Sequence, residues 1–267
     1  MGPVPAQRNR LRVREIVFAL AISAVCAGGA ALTLDALEDD GEPADAIAGP
    51  DEMTYNVAPF EQISTSGPQD VEVTQGEVIS VRAEGSPRAI AQLEVKVENG
   101  RLTLGPKPGF FRGNWGILDE ATFYVTMPRI KEIAIAGSGD VRVDRIEGDS
   151  FEGKIGGGGE IAILEMKVDR ADFSVAASGS ISAAGSAQHT RATIAGSGEI
   201  DAAALRSKTA SISIGGSGDV DLTVDEDAQV SITGSGDVDI SGAGHCSVTR
   251  FGGGTVRCAG GGGDEGD

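Results

Sequence analysis

Seven times in the second half of the chain, a short glycine cluster is followed by a β-branched residue at a nearly constant interval. The units read IAGSGDVRV from Ile135, IGGGGEIAI from Ile155, VAASGSISA from Val175, IAGSGEIDA from Ile194, IGGSGDVDL from Ile214 and ITGSGDVDI from Ile232, with a degenerate RFGGGTVRC from Arg250. Their last glycines, Gly139, Gly159, Gly179, Gly198, Gly218, Gly236 and Gly254, are 20, 20, 19, 20, 18 and 18 residues apart. A unit this short cannot bury an apolar face alone, so successive units must stack and share one core.

Read down the columns, the repeat becomes a cross-section. The second residue after each anchor is Val141, Ile161, Ile181, Ile200, Val220, Val238 and Val256; the fourth is Val143, Ile163, Ala183, Ala202, Leu222, Ile240 and Cys258. Four residues before the anchor stand Ile135, Ile155, Val175, Ile194, Ile214 and Ile232. Period-2 alternation on both sides of a glycine turn makes each unit two short strands. The expected fold is therefore all-β: a parallel β-solenoid of 18–20-residue coils over 132–258, its coils about 4.8 Å apart. Glycine costs about 0.5–1 kcal/mol in regular structure, so its recurrence at every anchor predicts a backbone with positive φ there. Ser138, Ser178, Ser197, Ser217 and Ser235 stack just before the anchors, where hydroxyls can bond the corner backbone.

Residues 54–131 are strand-like without the period. DVEVT (Asp70 to Thr74), VISVRA (Val78 to Ala83), LEVKV (Leu93 to Val97), RLTL (Arg101 to Leu104) and TFYVTM (Thr122 to Met127) alternate, and Asn99-Gly100 is a hairpin signal. This reads as an irregular β start that covers the first edge of the solenoid. Gly105 to Glu120 gathers Phe110, Phe111 and Trp115 in a loop that is either a packed lid or an exposed aromatic contact.

Charge divides the chain further. Arg8, Arg10, Arg12 and Arg14 precede an uncharged run from Ile16 to Leu34, a pattern that directs residues 1–34 to a membrane as a cleaved signal or a retained anchor. Positive-inside logic then exports everything after Leu34. Residues 35–53, with eight acids and no base, read as a disordered solvated linker, and 259–267 as a glycine and acidic tail. With a net charge of −18, the chain has no basic patch for nucleic acid.

The residue after each anchor is Asp140, Glu160, Ser180, Glu199, Asp219, Asp237 or Thr255, and two further on come Asp201, Asp221 and Asp239. Alternation puts all of these outside. Glu199, Asp201, Asp219, Asp221, Asp237 and Asp239 thus form two carboxylate columns, in which neighbours about 4.8 Å apart repel by about 1 kcal/mol even in water. Either corner N–H groups or weakly bound Ca²⁺ must offset this. A buried calcium ladder is not expected, because Val220 and its equivalents stand where a calcium-binding nonapeptide repeat has its ligand. Catalysis calls for one singular pocket rather than a ladder, the glycine clusters lead into strands rather than the helix a phosphate loop needs, and His189 and His245 have no metal-ligand spacing. A polysaccharide-active β-helix enzyme and a weak Ca²⁺-dependent structural module are the alternatives. Cys246 and Cys258, 12 residues apart in an exported chain, are either a disulfide or two buried thiols.

FEQISTSGPQDVEVTQG from Phe60, VENGRLTL from Val97 and FYVTMPRIKEIAIAGSGDV from Phe123, followed by the serial GSG-acid-Val units, resemble the bacterial putative auto-transporter adhesin family with a head GIN domain. The resemblance covers roughly residues 57–258. It implies a right-handed β-helical protein of the bacterial cell envelope, without catalytic residues or cofactor, acting as an adhesion, binding or scaffolding surface. Expected partners are an envelope glycan or protein, the membrane through the N-terminal segment, and another copy of the chain. A true autotransporter also carries a C-terminal membrane barrel, for which this sequence has no segment.

Overall fold

The computed structural model describes residues 45–48, 51–107, 120–242 and 244–260. Two compact units are distinguished, Met1–Asp35 and Ala36–Asp267. The first lies outside the described residues, as do the targeting segment, the aromatics Phe110, Phe111 and Trp115, and most of the C-terminal tail.

Strict alternation in the first part yields β1 (Asp45–Ala48), β2 (Glu52–Asn56), β3 (Gln62–Thr65), β4 (Asp70–Gln75), β5 (Ser80–Gly85), the single helical turn α1 (Pro87–Ile90), β6 (Leu93–Glu98), β7 (Arg101–Pro106) and β8 (Ala121–Met127). Proline at the first helical position and the Ser86 hydroxyl, which accepts from Ala89 N–H, start α1. Asn99 and Gly100, at φ 50° and 76°, close the β6–β7 hairpin with Glu98 opposite Arg101. β1 pairs antiparallel with β2. Among the described residues strand thus begins at Asp45, inside the stretch the acidic composition reads as a linker.

From Glu132 every strand is parallel: β9 (Glu132–Ile135), β10 (Val141–Val143), β11 (Ile146–Ile155), β12 (Glu160–Val175), β13 (Ser180–Gly196), β14 (Glu199–Gly216), β15 (Asp219–Gly234), β16 (Asp237–Ser241), β17 (His245–Gly252) and β18 (Val256–Cys258). The result is a β-solenoid of about six turns. The irregular strands join it at its start, where β4 pairs with β10 and β3 with β9.

The inward columns are those the repeat defines. Val141, Ile161, Ile181, Ile200, Val220 and Val238 are buried, as are Ile135, Ile155, Val175, Ile194, Ile214 and Ile232. Each coil also has an inward run that the repeat does not show. Met166 and Val168 in one coil, Leu205 and Ser207 in another and Val224 in a third turn inward after a register shift, so β12 to β15 are long bent strands rather than pairs of short ones. Variation within a column is compensated locally: Gly153 leaves room for Phe151 and Phe173, whose rings meet edge to face at 6.4 Å.

The anchor glycines have a different cause from the one the sequence suggests. None of them has positive φ. Instead, a Cβ on Gly159, Gly218 or Gly236 would lie 2.2, 2.4 or 2.3 Å from the carbonyl oxygen of the anchor one coil earlier. Close stacking of backbones forbids a side chain there. Positive φ occurs two residues earlier, at Gly196, Gly216, Gly234 and Gly252. The corner serines are exposed and their hydroxyls bond nothing among the described residues; backbone bonds such as Ser217 N–H to Gly196 C=O hold the corner.

The shaft closes at its far end with polar and covalent devices. Arg250 occupies the inner isoleucine column beside Ile232 and donates to the Gly254 carbonyl at 2.7 Å. A disulfide joins Cys246 to Cys258 across the last coil, with Cα atoms 6.5 Å apart.

Candidate functional site: two outer faces of unlike chemistry

The acidic columns lie on the face formed by β4, β10, β12, β13, β14, β15 and β16. Glu199 stands beside Asp219 and Asp219 beside Asp237; Asp201 stands beside Asp221 and Asp221 beside Asp239. The structure therefore brings all six sequence-derived carboxylates onto one face. Along the first column, and its continuation toward the start through Asp140 and Asp70, backbone donors of the next coil meet part of the repulsion. Asp70 accepts from Asp140 N–H at 3.0 Å, Asp140 from Glu160 N–H at 2.9 Å and Asp219 from Asp237 N–H at 3.3 Å. Asp237 accepts both the N–H and the hydroxyl of Thr255, at 2.8 and 2.6 Å, which holds its carboxyl below the usual aspartate range. In the second column Asp201 accepts only from Ala203 N–H of its own coil, at 3.3 Å. Partial burial, then the charges of Asp201, Asp239 and Asp219, push the Asp221 carboxyl up.

Among the described residues, no three His, Cys, Asp or Glu side chains converge as a metal-binding cluster. Where the irregular strands meet the solenoid, an open recess of roughly 150 Å³ is lined by Asp70, Glu72, Asp140, Arg142 and Glu160. That is smaller than the ~300–1,000 Å³ of sites that engulf a small ligand. His245 points outward from β17 while Cys246, in its disulfide, points inward, so the two form no nucleophile pair.

A second face was not recognised in the sequence. β11 to β17 align a column five residues before each anchor: Lys154, Ser174, Thr193, Ser213, Ser231 and Thr249. Beside it run Ser211, Gln229 and Ser247. From β14 onward this pair of columns is uncharged and built of hydroxyls and one amide, in a chain otherwise dominated by carboxylates. Nearer the start the same face is a charged ladder. Glu132 on β9, nearly buried, receives two bonds from Arg101 on β7 at 3.0 and 3.2 Å and faces Lys154 on β11 at 3.8 Å.

Residues 59–244 match the family model described as putative auto-transporter adhesin, head GIN domain. The chain belongs to this family. Solved structures with the same fold include a putative adhesin from Bacteroides fragilis (21% identity, TM-score 0.72, covering 77% of this chain and 94% of that one). A putative lipid binding protein from Parabacteroides distasonis has 21% identity and a TM-score of 0.64, covering 79% of this chain and 97% of that one. A putative adhesin from Parabacteroides merdae has 18% identity and a TM-score of 0.61, covering 77% and 94%. No curated protein matches. Membership in this adhesin family points to a non-catalytic, adhesion-type role and to an envelope or surface-exposed setting. No helix among the described residues is long and apolar enough to cross a membrane.

Proposed function

We propose that this head GIN domain protein is an exported, non-catalytic adhesion surface of the bacterial envelope, and that its uncharged hydroxyl face binds a neutral glycan. The observation that carries the reading is the contrast between the two faces. A rigid sheet presenting Ser211, Ser213, Gln229, Ser231, Ser247 and Thr249 offers donors and acceptors at coil spacing, with no charge to be desolvated. The opposite chemistry of the carboxylate columns repels anionic polymers and gathers cations.

The test is binding of the full chain to immobilised neutral and acidic polysaccharides, with the supernatant assayed for cleavage products. Neutral glycans should be retained and left intact, and the double substitution Ser213→Glu with Ser231→Glu should abolish retention while Asp219→Asn leaves it unchanged. Retention indifferent to the hydroxyl face would refute the assignment of the site. Cleavage would return the enzyme alternative.

A further inference from the structure

The last rung of the solenoid differs from every other part of the surface. β17 pairs with β15 on one side only, and no strand pairs with its other side among the described residues. Hydrogen bonds alternate along a parallel strand, and Gly253 N–H reaches back to Gly234 C=O. The backbone groups of Cys246, Val248 and Gly252 therefore point out of the end of the shaft. An edge of this kind is a template for another strand.

Three further features say which strand. Residues 241–260 contain Arg250 and Arg257 and no acid, in a chain of net charge −18. A second copy can thus approach this end without meeting carboxylates, as it could not on the acidic face. β17 and β18 are the last strands on their two sides, so neither side projects past the other by a further strand. Phe251, on the same rung, is 68% exposed, the one strongly exposed aromatic among the described residues.

We propose that two copies join tail to tail, β17 against β17 in antiparallel register about a two-fold axis. With the axis at Thr249, Cys246 lies opposite Gly252 of the second copy, whose backbone groups also point outward. Phe251 then lies over Ser247 of the second copy and leaves water. Such an interface is self-complementary and closes at two copies, since each copy has one such end.

The test uses the full chain with Cys26→Ser, into which Thr249→Cys or Ser213→Cys is introduced. Both positions are exposed on one face, but Ser213 lies two coils from the end. Cross-strand neighbours on the axis are close enough for a disulfide. Mild oxidation should link Thr249→Cys into dimers at least ~10-fold faster than Ser213→Cys, because the second thiol is held at high effective concentration. Adding Phe251→Asp should remove that advantage, with an unchanged melting temperature showing that the fold survives. Equal rates at both positions, or a wild-type chain that sediments as a monomer at every concentration, would overturn the proposal. Glycan binding is read through Ser213 and Ser231, which lie on coils before the last rung, so its loss in that double variant leaves the cross-linking result at Thr249 to decide the dimer.

Discussion

Replacing one anchor glycine by alanine tests the stacking argument directly, and Gly218 is the cleanest position. The added Cβ would lie 2.4 Å from the Gly198 carbonyl oxygen and 2.6 Å from Ile194 Cγ2. A carbon and a carbonyl oxygen rest no closer than about 3.3 Å, so the two coils must part locally by roughly 1 Å. That separation stretches the bond from Asp219 N–H to Gly198 C=O, 3.1 Å in the native coil, beyond hydrogen-bonding range. Overpacking of this kind costs about 1–3 kcal/mol, and a lost backbone bond about 1 more. A destabilisation of about 3 kcal/mol corresponds to a melting temperature lowered by roughly 6–12 °C in a domain of this size. The matched control is Gly158→Ser, where a Cβ meets nothing within 4 Å; it should change stability by less than about 0.5 kcal/mol. Differential scanning calorimetry of the three proteins measures both. Gly218→Ala melting with the wild type would show that coil contact does not select glycine at the anchors.

Four other outcomes are expected. Glu132→Gln, which leaves Arg101 without its carboxylate, should lower the unfolding free energy in urea by about 2 kcal/mol, a buried-pair loss discounted because Arg101 is half exposed. Asp221 has a folded pKa raised above its unfolded value, so its charge destabilises the native state at neutral pH and that penalty disappears as pH falls through the folded pKa. Asp221→Asn should therefore be more stable than wild type at pH 7 and lose that advantage as acidification protonates Asp221, by urea midpoints; an advantage that grew on acidification would contradict the sign. Reducing the Cys246–Cys258 bridge should cost about 3 kcal/mol by closing-loop entropy, seen as a lower melting temperature in reductant and absent in a Cys246→Ala, Cys258→Ala variant. Millimolar Ca²⁺ should raise the melting temperature slightly and chelator should reverse it; complete indifference would remove cations from the account of the acidic face.

The solenoid and its carboxylate columns were legible because both follow from the same period. Once Gly139 to Gly254 are aligned, alternation alone decides that Val220 faces in and Asp219 out. The third inward run was hidden because the corners after Ile163, Ser182 and Ala202 change register, so Met166, Leu205 and Val224 fall in no common column of the sequence. The hydroxyl face lay in plain view five residues before each anchor, but serine and threonine at an outer strand position attract no attention singly. The cause of the anchor glycines could not be read at all, because two conformational demands, positive φ and backbone contact, select the same residue.

Each anchor glycine touches its counterpart one coil earlier, and each coil offers the same contact to the coil after it. Nothing in that junction specifies how many windings there must be. A whole winding can therefore be inserted or excised between anchors without redesigning its neighbours, which makes the reach of the molecule an adjustable quantity, set by gene duplication in steps of about 4.8 Å.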